Sequence, residues 1–193
     1  MPANVKVAIM ATGNFGKFNE ARLVTGKFNV ALAMLSKIRS VEIQHDDLEV
    51  VATARVLNVV ERCGLPLVVE DAGLFTNALN GFPGPYSSYA YKTIGNDGLL
   101  TLIEGETNRK ALFKSVVAYT NPESNEPLCF TGTVEGEITL GKRGVEGFGF
   151  DPVFKPSGSP KTFGEMSVEE KNQYSHRARA FRKFAEWFSG CSS

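Results

Sequence analysis

Gly147 to Pro152 reads GFGFDP, and further along Glu169 to Arg177 reads EEKNQYSHR. Between them these stretches hold flat rings, a carboxylate and clustered donors, the inventory of a purine-nucleotide pocket. An aromatic ring offers a stacking face to any base, whereas a histidine beside an arginine presents N–H donors that select one base edge over another. The candidates are Phe148 and Phe150 with Gly149 between them, then Asp151, Lys171, His176 and Arg177. Glycines around both rings favour an exposed loop over core packing. The competing reading is core filling, since the chain carries 14 phenylalanines and most must be buried. Arg177 also heads a run with Arg179, Arg182 and Lys183 that suits a solvated helix face equally well. His45 has no such company and fits a polar loop.

A second set of residues suits phosphate. Thr12 to Lys17 (TGNFGK) places Gly13, Gly16, Asn14 and Lys17 where an apolar run breaks into helical spacing. Backbone N–H groups and the helix dipole at such a turn favour an anion. The spacing is not that of a Walker A loop, and a plain glycine turn has the same appearance. Glu42, Glu70 and Asp71 are candidate ligands for a hard divalent cation, because Mg²⁺ takes one or two carboxylates together with phosphate oxygens and water. Glu42 alone reads as a surface acid. Glu70 and Asp71 gain weight from their place after an apolar strand.

The elements that must position these residues follow from periodicity. Val5 to Thr12 predicts a buried strand and Lys17 to Val24 a helix. Asn29 to Leu35 predicts a second strand. Asp47 to Arg62 predicts a helix with an apolar face of Leu48, Val51, Ala52, Ala54, Val56, Val59 and Val60, ended by Gly64. Leu67 to Val69 predicts a strand that delivers Glu70 and Asp71 at its carboxyl end, facing a cleft. The run GFPGP at Gly81 to Pro85 must be a shaped loop. Arg109 to Thr120 and Pro127 to Leu140 predict an antiparallel hairpin joined by NPESNEP. Ser167 with Glu170 forms a capping-box signature, and Phe181, Phe184 and Phe188 mark one face of a last helix over Arg177 to Phe188. The economical fold class is α/β, a mixed sheet flanked by helices with a cleft.

Composition limits the alternatives. The 193 residues are enough for one domain or a compact two-lobed one with a sizeable core. No apolar run approaches the roughly 18 residues of a membrane span, and the N-terminus lacks a charged leader. Cys63, Cys129 and Cys191 are an odd count without a CxxC pair, which fits a reducing compartment. Lys and Arg number 21, as do Asp and Glu, so nothing draws nucleic acid nonspecifically and any phosphate is met locally.

Taken in order, TGNFGK, the EIQ at Glu42, VEDAGL around Asp71, GFPGPYSSY, GFGFDPVF and KTFGEMSVEEKNQYSHR resemble the inosine triphosphate pyrophosphatase family, also called Ham1 or noncanonical purine NTP pyrophosphatases, in its archaeal form. The resemblance implies an elongated two-lobed α/β fold over residues 1–193, with the active-site cleft between the lobes. It implies Mg²⁺-dependent hydrolysis of ITP, dITP and XTP to the monophosphate and pyrophosphate, in a cytoplasmic homodimer with neither nucleic-acid nor membrane partners. Thr12, Gly13, Asn14 and Lys17 would then grip the triphosphate. Glu42 and Asp71 would serve the metal, Asp71 would also be the base that activates water, and Glu70 would support it. Phe148, Gly149 and Phe150 would bound the base, Asp151 and Lys171 would complete the nucleotide site, and His176 with Arg177 would read the six-position oxygen. Ala72, counted with the substrate-contacting positions, stands where many relatives carry Ser. Phe150 replaces a usual Tyr or Trp, and Gly164 a usual Ala. Rival readings are a pyrophosphatase for other triphosphates and a noncatalytic nucleotide-sensing or nucleic-acid-binding module.

Overall fold

The computed structural model describes residues 5–191 apart from 39, 42 and 125. Its centre is a mixed sheet in the order β2-β1-β3-β5-β6-β7, with β4 paired to β3. The strands are β1 (Lys6–Ala11), β2 (Val30–Leu35), β3 (Leu67–Thr76), β4 (Pro83–Gly84), β5 (Lys110–Thr120), β6 (Leu128–Ile138) and β7 (Phe154–Pro156). β1 runs parallel to β2 and β3; the remaining pairings are antiparallel. The helices are α1 (Phe15–Thr25), α2 (Leu48–Cys63), α3 (Ser87–Thr93), α4 (Gly95–Leu102), α5 (Val168–Tyr174) and α6 (His176–Gly190). No helix among the described residues is long and apolar enough to cross a membrane.

Local chemistry accounts for the helix limits. Asn14 caps α1 by accepting the Lys17 N–H, and Asp47 caps α2 by accepting that of Glu49. Gly64 ends α2 in the left-handed conformation. Ser167 and Glu170 form the expected capping box on α5. The helical stripes then cover the two faces of the sheet: α2 packs Leu48, Ala52, Val56 and Val59 on Leu67, Val69, Val116 and Ala118, whereas α6 packs Ala178, Phe181 and Phe184 on Val68 and Val117. A third cluster around Phe113, Phe154 and Phe163 fills the far end.

One expectation about β3 is overturned. The strand does not stop at Val69; it pairs with β5 as far as Thr76↔Ala111, so Glu70 and Asp71 lie in mid-strand. The apolar run ends early because the strand's environment changes along its length. On the β1 side it pairs at Val68 and next, with β4, at Leu74. In that gap the Glu70 carbonyl accepts from Lys17 Nζ at 3.3 Å instead of from a strand. Because side chains alternate between faces, Glu70 shares the α6 face with Val117 and Asp71 the α2 face with Val116.

The closest approach of helix to sheet is at Gly132 on β6, where a Cβ would fall on the carbonyl oxygen of His176 and the amide of Ala180. Gly132→Ala is therefore expected to lower the unfolding free energy by about 3 kcal/mol in urea titration, the upper range for overpacking. Unchanged stability would contradict this packing.

Candidate active site

Four elements converge on the gap in β3. Helix α1 contributes Lys17 and Glu20, one turn apart on the same face. β3 contributes Glu70, α5 contributes Lys171, and α6 opens with His176 and Arg177, its N-terminus capped by Ser175, which accepts the Ala178 N–H. The segment before β7 adds Phe148 and Asp151. These charges form a buried row of alternating sign. Lys17 Nζ lies 2.8 Å from Glu70 Oε2, and Glu70 Oε1 accepts from Arg177 Nε at 3.0 Å and from the Ser115 hydroxyl at 2.6 Å. Arg177 Nη1 donates to Glu20 Oε2 at 2.6 Å, Lys171 Nζ to Glu20 Oε1 at 2.7 Å, and Lys171 Nζ again to Asp151 Oδ2 at 2.6 Å. Arg177 and Lys171 are each only 2% exposed. Three cations thus face three carboxylates, and the row is neutral.

Burial alone would push the Glu70 carboxyl up, but Arg177 and then Lys17 hold it well below the ordinary glutamate range. Glu20, also raised by burial, ends below its usual value because Arg177 and Lys171 both act on it. Asp151 is raised by burial, which Lys171, shared with Glu20, and the Phe148 N–H do not offset, and the Glu20 carboxylate raises it further. Burial lowers Arg177, yet Glu70 and Glu20 more than restore it, so the guanidinium stays charged. His176 is lowered well below 6.5 by burial and next by Arg177. Its neutral ring stacks on Phe113 with centroids 4.5 Å apart, and Nδ1 is buried without a hydrogen-bond partner.

Asp71 stands apart, on the other face of the strand. Arg55 of α2 donates from Nη1 to Asp71 Oδ1 at 2.7 Å, leaving Oδ2 buried and without a hydrogen-bond partner. Ala72 is half-buried beside it. Glu42 lies outside the described residues, and no group of three or more His, Cys, Asp or Glu among those described is placed to hold a metal ion.

The phosphate-type turn is built partly for itself. The Thr12 hydroxyl accepts the Asn14 N–H at 3.1 Å and Asn14 Oδ1 accepts the Lys17 N–H at 3.0 Å. Gly13 is exposed, with no heavy atom within 4 Å of where a Cβ would stand. Phe15 and Gly16 belong to the first turn, whose N–H groups have no intrahelical acceptors.

The two rings of GFGF part company. Phe148 is half-buried, its ring over Lys171 Nζ at 4.8 Å and Arg177 Cζ at 5.3 Å. A Cβ on Gly16 would lie 2.7 Å from that ring, so the glycine admits it. Phe150 is 4% exposed and packs edge-on against Tyr91 in the far core, which corrects the expectation that it faces a base. The turn through left-handed Gly149, rather than strand alternation, sends one ring to the site and the next inward, and an apolar core has no use for a Tyr hydroxyl. Gly164 is accounted for as well: a Cβ there would press on the Arg143 carbonyl and on Pro152, both at 2.7 Å. The cationic run splits, with Arg177 buried and Arg179, Arg182 and Lys183 exposed.

Glu20 and Arg55 were absent from the sequence reading, although both had a signal. Glu20 falls on the buried stripe of α1 with Ala21 and Val24, and Arg55 sits between Ala52 and Val59 on that of α2. A charged residue inside an apolar stripe needs a buried partner.

Mixed sheet, capped first helix and a buried charge row beneath a glycine-flanked ring define an α/β protein with a polar site at a strand gap. The family model described as the Ham1 family matches residues 8–187, and the chain belongs to that family. It is 48% identical to the dITP/XTP pyrophosphatase of Methanopyrus kandleri over 93% of this chain and 95% of that one. It is 50% identical to the protein of the same name from Thermococcus kodakarensis, over 91% and 94%. The Staphylococcus aureus Ham1 protein superposes with a TM-score of 0.82 at 31% identity, covering 96% of this chain and 99% of that chain.

Because His176 is held neutral, its folded pKa lies below the unfolded value of about 6.5. Below pH 6.5 the unfolded chain takes up a proton that the folded chain refuses, so stability falls toward acid, by up to about 1.4 kcal/mol per pH unit. Urea titrations of His176→Gln between pH 7 and 5 should lack that part of the slope. Parallel profiles for the two proteins would contradict a neutral buried imidazole.

Proposed function

We propose that this chain hydrolyses ITP, dITP and XTP to the nucleoside monophosphate and pyrophosphate, with Mg²⁺ as cofactor. The observation that carries this reading is the gap in β3, which sets Lys17 and the α1 N-terminus on one side and the unpartnered oxygen of Asp71 on the other. The names of the archaeal relatives support the same substrate class. Asp71 Oδ2 fits a divalent cation that needs only one or two carboxylates besides phosphate oxygens and water, and Glu42 is the proposed second ligand. When bound, Mg²⁺ neutralises phosphate charge and lowers the pKa of coordinated water.

The chain's own residues do the rest. The first turn of α1, Thr12, Gly13 and Lys17 hold the phosphates, with Asn14 shaping that turn as its cap. Asp71, oriented by Arg55, takes the proton of the attacking water as its oxygen bonds to the α-phosphorus. The bridging P–O bond breaks, and its electron pair leaves with pyrophosphate. Phe148 supplies the stacking face, on the buried cations Lys171 and Arg177. Arg177 spends Nε and Nη1 on carboxylates, so its other donors and the neutral imidazole of His176 meet the base. The six-position oxygen of hypoxanthine or xanthine accepts from such donors, whereas the amino group of adenine leaves them unpaired. That mismatch is worth up to roughly 10⁴-fold in discrimination.

The exposed aromatics Tyr86, Tyr89 and Tyr91 around α3, with Phe82 beside them, support pairing of two copies as a homodimer. Three free cysteines support a reducing, cytoplasmic setting.

A panel of ITP, XTP, GTP and ATP, with and without Mg²⁺ and scored by pyrophosphate release, tests the reading. ITP and XTP should exceed ATP by at least about 100-fold. Asp71→Asn should remain folded and lose roughly 10²-fold or more in turnover. Release of phosphate in place of pyrophosphate, or equal turnover of ATP, would overturn it.

A further inference from the structure

The segment that carries Phe148 is closed by a turn bond from the Asp151 N–H to the Phe148 carbonyl at 3.3 Å and is pinned by two side chains. Asp151 accepts the Phe148 N–H at 2.8 Å and belongs to the charge row. The other pin lies outside that row: Asn96, at the start of α4, donates from Nδ2 to the Gly149 carbonyl at 3.2 Å. The opposite orientation of that amide would set oxygen against oxygen, so geometry fixes it. Its Oδ1 is then buried without a hydrogen-bond partner. Burying an unpaired amide oxygen is unfavourable, and a side chain that tolerates it owes its place to the donor end.

Gly149 makes that donor matter. It is left-handed, with φ of +63°, and no atom beyond its chain neighbours lies within 4 Å of where a Cβ would stand. Gly147 is left-handed too, so Phe148 sits between two permissive residues. Downstream, Phe150 is fixed by Tyr91 of α3. The Cβ position of Gly149 meets no packing, and the bond from Asn96 holds the Gly149 carbonyl. The α3–α4 pair thus grips the segment from behind while the Phe148 ring is presented in front, above Lys171 and Arg177.

We infer that Asn96 is a positioning residue for Phe148, fixing the plane on which the purine base stacks and thereby setting base affinity without touching the nucleotide. The inference rests on the proposed nucleotide reading of the site. The bond from Asn96 goes to the Gly149 carbonyl and not to the phosphate turn or to Asp71; the segment meets α1 where the Phe148 ring passes Gly16. Losing the donor therefore weakens base binding and leaves turnover of bound substrate nearly intact.

The test uses the full chain with Asn96→Ala and with Asn96→Asp, which keeps the size and removes the amide donor. The measurements are kcat and KM for ITP, calorimetric Kd for IMP, inhibition by inorganic tripolyphosphate, and Tm. KM and the IMP Kd should rise about tenfold, within the range of a lost stacking contact, while kcat stays within about threefold. Inhibition by tripolyphosphate should not change. A purely structural role would lower Tm and leave KM and Kd within about twofold of wild type; that result, or an equal weakening of tripolyphosphate, overturns the inference. Absence of wild-type ITP turnover in the same assay would refute the proposed function and this inference with it. Normal wild-type turnover beside unaltered variants refutes the role of Asn96 alone.

Discussion

Everything in this fold defers to the desolvated row Lys17, Glu70, Arg177, Glu20, Lys171 and Asp151. Removing any one of these charges from water costs several kcal/mol, which its neighbours offset only when geometry is good and the leftover donors and acceptors are bonded. The distances of 2.6–3.0 Å supply that geometry, and the Ser115 hydroxyl and the Phe148 N–H supply part of that bonding. The row draws its members from α1, β3, α5, α6 and the segment before β7, so it fixes their mutual positions as a hydrophobic contact of the same size would not. Apolar packing supplies the bulk of the stabilisation; the charges choose the arrangement.

The same row shapes the cleft. Its cations lie under the Phe148 ring, where a ring face is attractive to positive charge, so the stacking platform and the buried charges hold one another in place. Arg177, beside His176, adds to burial in keeping the imidazole neutral, which leaves one ring nitrogen as a donor and the other as an acceptor. Only Lys17, at one end of the row, reaches the surface in part, and it does so at the gap in β3. Asp71 is kept on the far face of the strand, away from the carboxylates of the row and paired with Arg55.

Much of this was legible in the sequence, and what was not has physical reasons. The helix end at Gly64, the capping box at Ser167, the β5–β6 hairpin and the last helix depend on local chemistry, which the chain writes out residue by residue. The continuation of β3 past Val69 was hidden because Glu70, Asp71 and Gly73 are poor strand formers alone; pairing with β5 holds them. Neighbouring acids looked like one cluster, yet strand alternation sends them to opposite faces. The pairing of Lys171 with Glu20, 151 positions earlier, joins distant parts of the chain, and no local rule reveals such a partner. Phe148 and Phe150 have equivalent neighbours in sequence, and only the tertiary position of Tyr91 tells them apart.

The central claim is energetic coupling within the row, and a double-mutant cycle on Glu70 and Arg177 measures it directly by urea denaturation. Glu70→Gln and Arg177→Met should each cost about 3–5 kcal/mol, because each strands a buried charge. The double variant should cost clearly less than the sum, with a coupling of about 2 kcal/mol or more. Additive losses would mean that the two charges act independently, and the row would then not be the unit around which this fold is arranged.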